Sequence, residues 1–167
     1  SLPPLIQRIL VARGFSSTSE VEKFCDPPLA DLLPPDQLPG ISAASERLLV
    51  ALRAGQSVVI YGDYDVDGIT ATSILYHMLK AINPDADIRT FVPHRIDDGY
   101  GLNASALEQL ASEGCDLVVS VDCGITACEP VAAARKAGLS VIITDHHTLN
   151  ADGSLPTADV LVHPGLP

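Results

Sequence analysis

The chain has 167 residues, of which 47% are hydrophobic and 4% aromatic, so Ala, Val, Leu and Ile must form most of its core. Its formal net charge of −11 argues against a nucleic-acid-binding surface spread over the chain, because phosphate contacts normally come from clustered Lys and Arg. No apolar run approaches the roughly 18 residues of a membrane span, and the N-terminus lacks the charged-then-apolar order of a secretion signal.

The first part of the chain, residues 1–54, is predicted to be a helical N-terminal extension. Apolar spacing predicts short helices over 5–11 and 19–24 and a longer helix over 42–54. A proline-rich stretch from Pro27 to Pro39 shows no periodicity.

From Ser57 onward, apolar strands and amphipathic helices alternate. Strands are predicted over 57–61, 88–92, 117–121, 140–144 and 159–162, and helices over 70–82, 104–113 and 127–137. Repeating βα units imply a doubly wound α/β domain over 55–167, with a mostly parallel five-stranded sheet and helices on both faces. We expect the strand order 2-1-3-4-5.

Acidic residues follow three of these strands at the points where the strands end. Ligand sites of such sheets lie beyond the carboxyl ends of the strands, so these residues should share one crevice. They are Asp63, Asp65, Asp67, Asp122, Asp145, His146 and His147.

A cluster of this kind is unfavourable unless something neutralises it. Two carboxylates about 4 Å apart repel by about 4 kcal/mol at an effective dielectric constant near 20, and Lys and Arg are nearly absent from these segments. Carboxylates with imidazoles suit Mn²⁺ or Mg²⁺, and one bridging carboxylate, such as Asp122, could hold two ions. Each motif alone has a commoner explanation, as a calcium loop, a solvated turn or a helix cap. Their combination predicts a metal site.

Two glycines, Gly68 and Gly124, each open a predicted helix just after an acidic strand end. The N–H groups of a helix N-terminus suit a substrate phosphate, so Gly124 is a candidate substrate-binding residue. Ordinary turn chemistry is the alternative for either glycine taken alone.

The connection over 93–101 is polar and contains glycines. We expect Arg95 to meet a phosphate of the substrate and Tyr100 to stack on a base. His163 is a weaker candidate for a substrate contact.

The four cysteines show neither a CxxC pair nor a regular spacing. They are Cys25, Cys115, Cys123 and Cys128. We interpret them as reduced thiols of a cytoplasmic protein, with disulfides as the alternative.

The motifs resemble those of the DHH phosphoesterase superfamily and, within it, most closely those of RecJ-type single-stranded-DNA-specific exonucleases. The three resembling motifs span Gly62 to Thr70, Val121 to Ile125, and Thr144 to His147. The segment 92–102 resembles a loop that smaller DHH phosphodiesterases tend to lack, and the N-terminal part also resembles RecJ-type enzymes around Arg13-Gly14-Phe15.

The resemblance implies roles for individual residues. One implied metal ion is held by Asp63, Asp65 and Asp122, and a second by Asp67, Asp122 and His146. His147 would contact the scissile phosphate, and Asp145 would orient the histidine pair. Asp122, Asp145 and His147 are therefore the implied catalytic residues.

For the full-length protein, the resemblance implies 5′→3′ hydrolysis of single-stranded DNA with two Mn²⁺ or Mg²⁺ ions, in DNA repair and recombination. A single-strand-binding protein or a helicase would be its candidate protein partners. The alternative enzyme is a small-substrate DHH phosphodiesterase acting on oligoribonucleotides or cyclic dinucleotides. A non-catalytic binding module is a different class, and the intact ligand set argues against it.

The family's fourth motif supplies a further aspartate, and no such segment precedes Pro167. We therefore expect the chain to be an N-terminal fragment, truncated before the fourth motif and inactive by itself.

Overall fold

The computed structural model describes residues 2–94 and 101–167, and the chain divides into two compact units, Ser1–Pro34 and Pro35–Pro167. The first unit contains helices α1 (Pro4–Ala12) and α2 (Thr18–Cys25) and one 3-10 turn. Ser17 caps the N-terminus of α2 in a capping box. Its side chain accepts a hydrogen bond from the backbone N–H of Glu20, and the Glu20 carboxylate accepts one from the backbone N–H of Ser17.

The second unit is a parallel α/β sheet domain. Its helices are α3 (Ile41–Arg53), α4 (Val66–Ile82), α5 (Ala104–Ser112) and α6 (Cys128–Lys136). Its strands are β1 (Val58–Gly62), β2 (Ile88–Phe91), β3 (Leu117–Val121), β4 (Ser140–Thr144) and β5 (Val160–Val162). All neighbouring strands pair in parallel in the order β2-β1-β3-β4-β5, which confirms the predicted fold class and strand order.

The sheet carries helices on both faces. α3 and α4 pack on one face and α5 and α6 on the other, so β1 and β3 are buried along their whole length. Burying one Val or Ile side chain contributes about 1.5–3 kcal/mol, which explains why these strands are continuous apolar runs.

The compact unit that contains the sheet begins at Pro35, whereas the sequence suggested a boundary between residues 54 and 55. α3 belongs to the sheet unit because Ala44 and Ala51 are buried against strand residues. Gly40, which precedes α3 with φ +81°, approaches the backbone of Leu161 so closely that any side chain there would overlap it.

The helices other than α5 begin one to four residues away from their predicted starts, and two of these differences concern the acidic strand ends. α4 begins four residues earlier than expected, because the Asp65 side chain caps it and leaves Asp67 in its first turn. α6 begins at Cys128, so Gly124 lies in a turn before the helix. Within the described residues, no helix combines the length and apolar character that crossing a bilayer requires.

Candidate metal centre

Three neighbouring strands deliver an aspartate to the same edge of the sheet. Gly62 of β1 pairs with Val121 of β3, and Val121 pairs with Thr144 of β4. The next residue on each strand is Asp63, Asp122 and Asp145. Parallel register therefore places the three carboxylates in adjacent rows at the carboxyl edge, where ligands of such sheets bind.

The loop after β1 brings Asp65 over this edge. Its Oδ1 accepts hydrogen bonds from the backbone N–H groups of Asp67 and Gly68, both at 3.0 Å. The bond from Gly68 is the main reason why the pKa of Asp65 lies below its ordinary value. A Cβ at Gly68 would lie 2.6 Å from the backbone nitrogen of Asp63, so only glycine lets α4 begin this close to β1.

Asp122 lies at the centre of the arrangement. Its backbone adopts φ +63°, a left-handed conformation that Asp tolerates better than most residues. The side chain is 7% exposed, and Oδ1 lies 2.9 Å from Nε2 of His146. Oδ2 is buried and has no hydrogen-bond partner among the described residues. Burial raises the pKa of Asp122 despite the hydrogen bond with His146.

Asp145 is hydrogen-bonded at both carboxylate oxygens. Oδ1 accepts from the backbone N–H groups of His146 at 2.7 Å and His147 at 3.0 Å, and from Nδ1 of the His147 ring at 2.7 Å. Oδ2 accepts from the backbone N–H of Ile125 at 2.9 Å. Burial acts to raise the pKa of Asp145, but these hydrogen bonds outweigh it and lower the pKa. In return, the bond to Asp145 raises the pKa of His147.

Among the described residues, acidic and histidine side chains form two groups of three. Within each group, the ligand atoms all lie within 4.8 Å of one another. One group is Asp63, Asp65 and Asp122, and the other is Asp122, His146 and His147. Asp122 is common to both. Asp67 belongs to neither group and is exposed in the first turn of α4, and its role as a metal ligand stays a prediction.

Residues 57–167 match the model of the DHH family, N-terminal domain. The chain belongs to the DHH family.

Curated relatives extend the similarity over the rest of the chain. Over 166 residues the chain is 36% identical to the single-stranded-DNA-specific exonuclease RecJ of Bacillus subtilis. The aligned region covers 99% of this chain and 21% of that protein. The RecJ of Escherichia coli is 38% identical over 165 residues, 99% of this chain and 27% of that protein. The DHH chain therefore spans about a quarter of the length of the curated relatives that it matches.

A solved structure has the same fold. The crystal structure of exonuclease RecJ bound to manganese aligns with a TM-score of 0.72 and 40% identity, covering 83% of this chain and 34% of that one.

The donor set of the DHH domain fits a hard divalent cation. Carboxylate oxygens and imidazole nitrogens are ligands that Mn²⁺ accepts, and the buried, unpartnered Oδ2 of Asp122 is an atom that a cation would satisfy. Cys123 is next to Asp122, but its buried Sγ lies 3.9 Å from the carbonyl oxygen of Tyr61. Burial, reinforced by Asp145 and other nearby carboxylates, raises the pKa of the Cys123 thiol, so it stays protonated and is a poor ligand.

The predicted substrate-binding residues have different outcomes. Arg95 and Tyr100 lie outside the described residues. Gly124 is buried with φ +109°, and a Cβ there would lie 2.7 Å from Cδ1 of Leu102. The backbone N–H of Ile125, which follows it, already donates to Asp145. A substrate role for Gly124 stays a prediction.

The sequence did not predict that the His163 ring contacts the backbone of the candidate metal centre. It is buried, at 4% exposure, and its ring is hydrogen-bonded to the carbonyl oxygen of His147. A histidine directly after a strand was the only signal in the sequence, and that signal is too common to identify the contact.

Proposed function

We propose that the full-length protein containing this chain is a 5′→3′ exonuclease that hydrolyses phosphodiester bonds of single-stranded DNA with two Mn²⁺ or Mg²⁺ ions. It would act in the cytoplasm in DNA repair and recombination, with a single-strand-binding protein or a helicase as partner. The observation that carries the proposal is the pair of ligand groups that share Asp122.

The presence of Asp122 in both ligand groups supports the proposal of two ions. Asp122 is common to both groups, and its carboxylate has two oxygens with which to face two cations. In Asp122, Oδ1 faces His146 while Oδ2 has no described partner. Divalent ions, when bound, would lower the pKa of a water molecule and neutralise the charge that develops on the phosphate.

The chain's own residues would orient this chemistry. Asp145 fixes the His147 ring through Nδ1 and fixes the backbone of both histidines. The ring therefore presents its other edge away from Asp145, in a direction set before substrate binds. Such preorganisation suits a group that contacts the scissile phosphate.

The substrate class rests on the relatives. Those named single-stranded-DNA-specific exonuclease RecJ match 98–99% of the chain, including the first unit, at 35–39% identity. The family model, by contrast, covers only 57–167. Similarity that extends beyond the shared DHH domain favours a RecJ-type exonuclease over a small-substrate phosphodiesterase.

The test compares substrates and one substitution in the full-length protein. We expect Mn²⁺-dependent release of nucleotides from long single strands with free 5′ ends and slower cleavage of dinucleotides. Asp122→Ala should lower the rate by at least about 100-fold, because one residue serves both ligand groups.

Asp116→Asn is the matched control. Asp116 lies before β3, at the opposite edge of the sheet, where its Oδ2 accepts from the backbone N–H of Ser57 at 2.8 Å. This variant should keep its activity. Preference for dinucleotides would replace the proposed substrate, and unchanged turnover in Asp122→Ala would refute the shared ligand. We further expect residues 1–167 alone to show little or no cleavage, and robust cleavage by them would contradict that part.

A further inference from the structure

His163 is a buried histidine outside both ligand groups. It directly follows β5, which lies at one end of the sheet order. Thr144 pairs with Val162, and the backbone N–H of Asp145 donates to the Val162 carbonyl oxygen at 3.1 Å. His163 therefore lies beside the segment Asp145-His146-His147, and its ring is hydrogen-bonded to the backbone of that segment.

Both ring nitrogens of His163 have backbone partners. Nδ1 accepts from the N–H of Gly165 at 2.9 Å, and Nε2 lies 2.8 Å from the carbonyl oxygen of His147. Nδ1 can accept only when it carries no proton. The ring proton must then be on Nε2, which donates it to the His147 carbonyl. The two bonds together define the tautomer and the orientation of the ring.

The backbone at His147 is therefore held from two sides. Asp145 accepts from its N–H at 3.0 Å, and His163 donates to its carbonyl oxygen. Residues 145–150 belong to no helix or strand. Within this segment, the Asp145 and His163 side chains hold the backbone at His147 through its N–H and its carbonyl oxygen.

We propose that His163 is a positioning residue of the metal centre. By holding the His147 carbonyl, it sets where the adjacent imidazoles stand relative to Asp122. The proposal rests on the proposed function for the identity of the bound group, whereas the hydrogen bonds of His163 are independent of it. Removing a partner that orients metal ligands typically lowers metal affinity by about 10- to 100-fold.

Two substitutions separate the hydrogen bond from the volume of the ring. His163→Gln can place an amide N–H close to the position of Nε2 and keep the donor to His147. His163→Leu fills a similar volume without a donor. Asp116→Asn, at the opposite edge of the sheet, controls for effects of altered stability alone.

The first measurement is the tautomer of His163 in the metal-free chain. Long-range ¹H–¹⁵N NMR spectra distinguish a ring protonated on Nε2 from one protonated on Nδ1. We expect the Nε2–H form. The Nδ1–H form would overturn the proposal, because that ring could not donate to His147 and accept from Gly165.

The second measurement is the Mn²⁺ affinity of the full-length protein and its variants, followed through the EPR signal of the free ion, with thermal unfolding recorded for each. His163→Leu should bind Mn²⁺ about tenfold or more weakly, and His163→Gln and Asp116→Asn should stay within about threefold of the native chain. Equal weakening in the Leu and Gln variants, or none in Leu, would contradict the proposal. No Mn²⁺ binding by the native full-length protein would instead count against the proposed function, and the tautomer would then decide the role of His163.

Discussion

The two edges of the parallel sheet compensate their charges in different ways. At the amino edge, where the strands begin, carboxylates form ion pairs with arginines. The pairs are Arg89–Glu113 at 3.1 Å and Arg135–Asp159 at 3.5 Å. At the carboxyl edge, in the part of the chain that the structure describes, the ion-pair partners of the aspartates are His146 and His147.

Backbone hydrogen bonds show the same contrast. At the amino edge, Asp116 accepts from Ser57 and Asp159 accepts from the N–H of Val141 at 2.7 Å. At the carboxyl edge, similar bonds satisfy Asp65 and Asp145, but Oδ2 of Asp122 stays buried without a described partner. The carboxylates of the amino edge are thus compensated within the chain, although Nε of Arg89 is also buried without a described partner. At the carboxyl edge the buried atom without a described partner is a carboxylate oxygen, which a cation would satisfy.

The largest expected effect that tests this contrast is stabilisation by Mn²⁺. A ligand that binds only the native state at 100 times its Kd stabilises it by about 2.7 kcal/mol, or roughly 5–10 °C in Tm for a domain of this size. Asp122→Asn should lose this shift and Asp116→Asn should keep it, as measured by circular dichroism with and without Mn²⁺. A full shift in Asp122→Asn would show that the ion binds elsewhere.

The next largest effect on stability should come from the close approach of α4 to the end of β1 at the carboxyl edge of the sheet. Gly68→Ala should destabilise the chain by about 3 kcal/mol, because its Cβ overlaps the backbone of Asp63. Gly55→Ala is the matched control: Gly55 precedes β1 with φ +67° and has open space around it, so strain alone should cost about 1 kcal/mol. Urea unfolding measures both. Equal losses would mean that α4 can shift away from β1 without difficulty.

The smallest effects should have opposite signs at the two edges. Without metal, Asp122→Asn should raise the free energy of unfolding by about 1 kcal/mol, because it removes a buried charge. Glu113→Gln should lower it by about 0.5 kcal/mol, since its pair with Arg89 is partly exposed and screened by solvent. Denaturant titration in a metal chelator gives both values.

The gain in Asp122→Asn should also depend on pH. Burial raises the pKa of Asp122 in the native state, so that state binds the proton more readily than the unfolded chain does. The native chain therefore loses stability as pH rises above the unfolded carboxyl pKa of about 4. The advantage of Asp122→Asn should be larger at about pH 7 than at about pH 4, and a gain that grows on acidification would contradict this assignment.

The sequence by itself determined the layer structure and the edge at which the acidic residues meet. The runs at 58–62 and 117–121 are almost wholly apolar, with Ser120 as the polar residue, because helices cover both faces of their strands. This pattern can be read from the sequence residue by residue. An aspartate directly after such a strand must emerge at its carboxyl end, whatever the rest of the chain does. The positions of Asp63, Asp122 and Asp145 at one edge were predictable for this reason.

Only the tertiary structure decided which of these side chains meet. Asp67 lies exposed in the first turn of α4 and outside both ligand groups, and His163 reaches His147 because β5 pairs with β4 in one particular register. Hydrophobic periodicity is a property of neighbouring residues, so it can be read from the chain alone. Register and ring tautomer depend on segments far apart in sequence, and these are defined only when the sheet has assembled.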